Sequence, residues 1–155
     1  MSAPTTARAG NGALALIRAI IARLEAVPYW LLALPLRAGI GMVFWNSAHA
    51  KLASWDTALY MFREDFKVPI LPPELAAYMA TGIELATPVL LWVGLATRLS
   101  AAVLLGMSLV IEVFVYPLAW PTHLQWAAML LVLLCYGPGK LSLDGLIRRG
   151  VMGGR

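Results

Sequence analysis

The side chains in this sequence that could do chemistry are few, and most lie in apolar surroundings. Glu84 stands near the middle of ELAAYMATGIELATPVLLWVGLATR, residues 74–98. Glu112 stands in another apolar run, with Ser108 and Tyr116 four residues to either side, a spacing that puts all three on one helix face. Arg37 sits inside a third run, while His49, Lys51, His123 and Trp126 fall near run ends. An ionisable group inside a membrane is costly unless it faces protein, water or a counter-ion. Each carboxylate therefore needs a partner.

Counted from the ends of their runs, Arg37 lies ~10 Å from one membrane surface and Glu84 near the midplane of a ~30 Å hydrocarbon core. Their backbone levels then differ by only a few ångströms, and an Arg37–Glu84 ion pair is expected. For Glu112 the candidates at the right depth are His49, Lys51 and His123. A carboxylate near two histidines could handle protons, and His49, Glu112 and His123 could make a weak metal site. A polar cluster that fixes helix register would use the same residues equally well. Trp126 could stack on a flat aromatic ligand such as a quinone headgroup; Trp45, Trp92, Trp120 and Trp126 also fit an interfacial aromatic belt. The sequence contains no P-loop, HExxH or serine nucleophile elbow, so no catalytic residue is assigned. Cys135 is the only cysteine, which excludes an intramolecular disulfide and a CxxC redox pair; in its apolar run it reads as a small packing residue.

The elements that must position these groups follow from hydropathy. Of 155 residues, 61% are hydrophobic and 13% charged, against about 25% charged in a soluble domain. Too few polar groups remain to cover a water-facing surface. The expected fold is all-α, an integral membrane four-helix bundle preceded by an interfacial amphipathic helix. Residues 1–28 form a polar tail and that helix, in which Leu14, Ile17, Ile20, Ile21 and Leu24 recur at helical spacing opposite Arg18, Arg23 and Glu25. The bundle covers 29–137, with spans at about 29–50, 74–96, 99–118 and 121–136, and 138–155 form a tail. Between the first two spans, a short interfacial helix is expected over 55–66, then a turn at Val68-Pro69 and Leu71-Pro72-Pro73. On the first span, Arg37, Gly41, Phe44, Ala48 and Lys51 share one face. The small residues Gly39 and Gly41, with Ala76, Ala77 and Ala80, would permit close helix approach and a homodimer.

Four spans place both termini on one side. That side carries Arg8, Arg18, Arg23, Arg98, Lys140, Arg148, Arg149 and Arg155; the other carries Lys51, Arg63 and Lys67. The positive-inside rule puts both termini in the cytoplasm. The net charge of +4 thus reflects span orientation and contact with the lipid bilayer rather than nucleic-acid binding. The first residues lack a basic start followed by an apolar core, so no cleavable signal peptide is expected.

Three stretches taken in order resemble the DoxX family of small four-helix bacterial inner-membrane proteins: RAGIGMVFWNSAHAKL in the first span, GIELATPVLLWVGLATRL in the second, and YGPGKLSLD after the fourth. The resemblance implies a four-helix inner-membrane bundle with Arg37, Lys51 and Glu84 at the family's matching positions. It also implies a redox-associated membrane subunit, rather than a self-sufficient enzyme, that binds a quinone or similar hydrophobic ligand. The alternative is a non-catalytic anchor or assembly partner for a soluble or periplasmic enzyme, such as one handling metal. A channel or transporter fits less well, since no inverted repeat is visible.

Overall fold

The computed structural model describes residues 6–66 and 71–152, with side chains over 12–66 and 71–151. The N-terminal residues 1–5, Lys67 with the Val68-Pro69 turn, and Arg155 lie outside the described residues, as does the side chain of Arg8. Every regular element among the described residues is helical: α1 (Thr6–Glu25), α2 (Tyr29–Ala53), α3 (Trp55–Glu64), α4 (Pro73–Val93), α5 (Thr97–Val110) continued by a π-helical turn (Ile111–Val115), α6 (Trp120–Tyr136) and α7 (Leu143–Met152). Three are long and apolar enough to cross a membrane: α2, α4, and α5 with its π-helical turn. The apolar side chains Leu14, Ile17, Ile20, Ile21 and Leu24 of α1 are exposed.

Local chemistry sets the helix ends. Pro28 precedes α2 and Pro73 opens α4, each where a missing N–H costs no intrahelical bond. Gly94 ends α4 in the left-handed conformation, φ 69°. The chain reverses through Ala96, also left-handed, into α5. The first free N–H groups of α5 are capped from far away, with Ala96 N and Thr97 N donating to the two Asp144 oxygens at 2.8 and 2.9 Å. Asp144→Ala should therefore cost roughly 1 kcal/mol, the usual worth of an N-cap, read as a lowered melting point in detergent. At its other end α5 does not run on to residue 118 as the hydropathy pattern suggests. Tyr116 N donates to Ile111 O, five residues back, and Pro117 has no N–H with which to continue.

α2 lies along α4, α4 along α5, α5 along α6, and α6 returns to α2. Ile40, Phe44, Leu91, Ala101, Leu104, Leu130 and Leu133 form the shared core. The expected face of α2 is inside, with Arg37, Gly41, Phe44 and Ala48 all buried. The small residues serve contacts within the chain. A Cβ on Gly41 would come within 2.5 Å of Trp92 Nε1, whereas one on Gly39 would meet nothing within 4 Å. Ala76 and Ala77 are buried against Phe62, where α3 crosses the start of α4. The face expected to admit a second copy is thus largely occupied, and only Gly39 of that set is open. Cys135, expected to pack inside, is exposed.

Candidate functional site

Glu84 is 1% exposed, and its partner is not Arg37. Lys51 Nζ donates to Glu84 Oε1 at 2.9 Å and to Oε2 at 2.7 Å, and to Ser47 Oγ at 2.9 Å. Ser47 Oγ in turn donates to Glu84 Oε1 at 3.1 Å. The register of two antiparallel helices explains the difference. Gly41 against Trp92 and Ser47 against Glu84 set α2 and α4 so that Glu84 is level with Ser47. That is ten residues, ~15 Å, from Arg37. The first turns of α4 extend past the end of α2 and pack on α3, which a count from the run ends does not reveal.

Arg37 faces the opposite end of the bundle and binds only backbone carbonyls. Its Nε donates to Leu91 O at 2.7 Å, Nη2 to Trp92 O at 2.6 Å, and Nη1 to Pro138 O and Leu141 O at 3.0 and 2.9 Å. Leu91 and Trp92 lie in the last turn of α4, where carbonyls run short of intrahelical partners (Leu91 O has only the capping Gly94 N–H) and the helix dipole favours a cation. The planar fork of the guanidinium ties that helix end to the Gly137-Pro138-Gly139 turn and the segment after it. Gly137 and Gly139 both have positive φ, and a Cβ on Gly139 would meet Trp30 Cα at 2.8 Å.

Glu112 finds one of its three expected partners. His123 Nδ1–H donates to Glu112 Oε2 at 2.5 Å. His123 is buried and the Glu112 side chain is 26% exposed. Lys51 belongs to Glu84 instead. His49 stays on its own helix, exposed, with Nδ1 at 2.9 Å from Trp45 O and its ring over Trp45. Among the described residues no three His, Cys, Asp or Glu side chains are placed to hold a metal ion. The stripe Ser108–Glu112–Tyr116 is broken by the π-helical turn. Ser108 is buried and donates to Leu104 O, while Tyr116 is half exposed and meets Phe66 edge-on.

Between these groups lies a cavity of ≈ 780 Å³. Its walls come from α2, α3, α4, α5 with the π-helical turn, and α6, and they are apolar over most of their extent. Ser47, Lys51 and Glu84 line it from one side and His123 and Trp126 from another. Trp126 is an inner side chain rather than a belt residue, packed edge-on against Phe44 with ring centroids 5.5 Å apart. Trp45 and Trp92 pack on each other, and Trp120 is exposed. α3 closes one end with Ala58 and Phe62, an enclosure for which the sequence offered only a short amphipathic helix. An exposed Arg63–Glu74 pair joins α3 to α4.

Three helices long and apolar enough to cross a membrane, and exposed leucines such as Leu99, Leu109 and Leu131, make this a membrane protein in contact with the lipid bilayer. The DoxX family model matches residues 32–117, more than half of the chain, and the chain belongs to the DoxX family. It is also similar to an uncharacterized protein of Haemophilus influenzae, 30% identical over 120 residues covering 68% of this chain and 78% of that one. No solved structure matches it.

Proposed function

We propose that this DoxX protein is a four-span bundle of the bacterial inner membrane that binds a quinone or similar small hydrophobic ligand, as the membrane subunit of a redox system. In this reading α2, α4, α5 and α6 are the spans of a bundle over residues 29–137. α1 lies in the interface as an amphipathic helix, and the tail from 138 is cytoplasmic, as is the N-terminus. The cavity carries the proposal. Small-ligand sites occupy about 300–1,000 Å³, are largely apolar, and present a few polar groups that fix orientation. This cavity is ≈ 780 Å³ and offers Ser47, Lys51 and Glu84 on one wall and His123 on another. The Trp126 ring beside His123 supplies a face for a flat headgroup.

The test is a titration of the detergent-solubilised protein with decyl-ubiquinone, following tryptophan quenching that disappears in Trp126→Phe. Ala80→Phe fills the cavity from α4, one turn from Glu84, and should weaken binding by about tenfold or more, the worth of ~1.4 kcal/mol. Equal affinity in wild type and Ala80→Phe would remove the cavity from the account.

One observation favours a second reading, an anchor or assembly partner for a soluble or periplasmic enzyme. All three Lys51 N–H donors are already taken by Glu84 and Ser47, as in a pair that only fixes register. That reading expects a second polypeptide to copurify and Glu112→Gln to be tolerated.

A further inference from the structure

His123 lines two cavities, not one. On its other side, between α5 and α6, is a groove of ≈ 480 Å³ that is also lined by Glu112, Ser108 and Trp120. Glu112 lines the groove and not the central cavity; its carboxylate is partly exposed and His123 is buried between the two spaces. His123 Nδ1 is engaged by Glu112, and Nε2 has no hydrogen-bond partner among the described residues. The ring thus has one nitrogen on the carboxylate and the other free. The carboxylate is carried by a five-residue π-helical turn, a rare geometry that shifts the phase of the helix and concentrates at functional positions.

We propose that His123 and Glu112 form a proton port, a two-residue relay joining the central cavity to the groove on the outer face of α5 and α6. A hydroxyl in the cavity gives its proton to Nε2 as Nδ1 gives its proton to Glu112, and the carboxylic acid releases that proton to water reaching the groove from the nearby end of the π-helical turn, Ile111–Val115. The ring is left in its other neutral tautomer and no electrons move. The reverse sequence loads the cavity. A pair serving only to clamp two helices needs no open side; this one has a side toward each space. The other titratable groups bordering the path are Lys51 and Glu84 across the cavity, paired with each other, and Tyr116 just beyond the π-helical turn. On the groove side, the Ser108 hydroxyl is held by Leu104 O. The inference rests on the proposed ligand only for the identity of the hydroxyl.

The test uses the full chain in lipid nanodiscs with ¹⁵N-histidine and His49→Gln, which leaves His123 as the single histidine. Exchange of its ring N–H with water is read by NMR. Glu112→Gln keeps an acceptor for Nδ1 but cannot carry a proton, and should slow exchange by about tenfold or more, whereas Glu112→Asp retains fast exchange. Equal rates in Glu112→Gln and wild type overturn the port. The wild-type chain gives a second reading that needs no variant. Dicyclohexylcarbodiimide, which attacks protonated carboxyls in apolar surroundings, should label Glu112 and spare the ion-paired Glu84; labelling of Glu84 without Glu112 also overturns it. Slowed exchange in a protein that binds no decyl-ubiquinone would leave the port standing and discard the ligand. Quinone binding with unchanged exchange would do the opposite.

Discussion

Glu84→Gln alone is expected to cost roughly 3–5 kcal/mol of stability, and Lys51→Met about as much, while the two together lose far less than the sum. The reason is the position of the pair. Glu84 is almost wholly buried, Lys51 is 17% exposed at its side chain, and each charge has the other as its counter-ion. Removing one leaves the other in an apolar wall with a desolvation cost and no compensation. Removing both leaves a Gln amide that Ser47 still reaches and a methionine that suits the cavity. Unfolding in mixed detergent micelles, arranged as a double-mutant cycle, measures the coupling. Additive losses would mean that the two charges are independently solvated and that the pair does not hold α2 to α4.

The second large effect is expected at Arg37. Arg37→Leu strands three carbonyls at once, those of Trp92, Pro138 and Leu141, leaves Leu91 O with only the Gly94 N–H, and removes the cation at the end of α4. A loss of about 3–5 kcal/mol is expected from uncompensated buried polar groups, with partial recovery in Arg37→Lys, whose ammonium cannot reproduce the planar fork. The readout specific to this contact is the tail. Freed from Arg37, the segment around Leu141 should open, and trypsin should cut after Lys140 faster than in wild type. Unchanged cutting in a destabilised Arg37→Leu would show that the guanidinium holds the helix end but not the tail.

These two residues also show where the sequence was legible and where it was not. Helical spacing was enough to place Arg37, Gly41, Phe44 and Ala48 on one buried face of α2, because a period of 3.6 depends only on the chain itself. Apolar length found α2 and α4 for the same reason. Pairing between helices was a different matter. Arg37 and Glu84 looked level because their depths were counted from run ends, but α4 begins over α3, beyond the end of α2, and the Gly41–Trp92 contact sets the offset. A guanidinium that binds only carbonyls leaves no side-chain signature, since every residue has a carbonyl. Asp144 capping a helix 48 residues earlier in the chain is hidden for the same reason. The π-helical turn was illegible because Ile111, Val113, Phe114 and Val115 are equally at home in an ordinary apolar helix. For Glu112, depth alone left three partners open. The fold chose His123, whose helix follows directly after the Pro117 break and packs along α5.

The central claim is that the cavity holds a hydrophobic ligand. It is tested most directly by native mass spectrometry of the protein extracted in mild detergent from its own membranes. The account predicts a quinone-sized adduct on the wild-type chain that is absent from Ala80→Phe. An unadorned mass for both, travelling with a second polypeptide, would contradict it and favour the anchor reading.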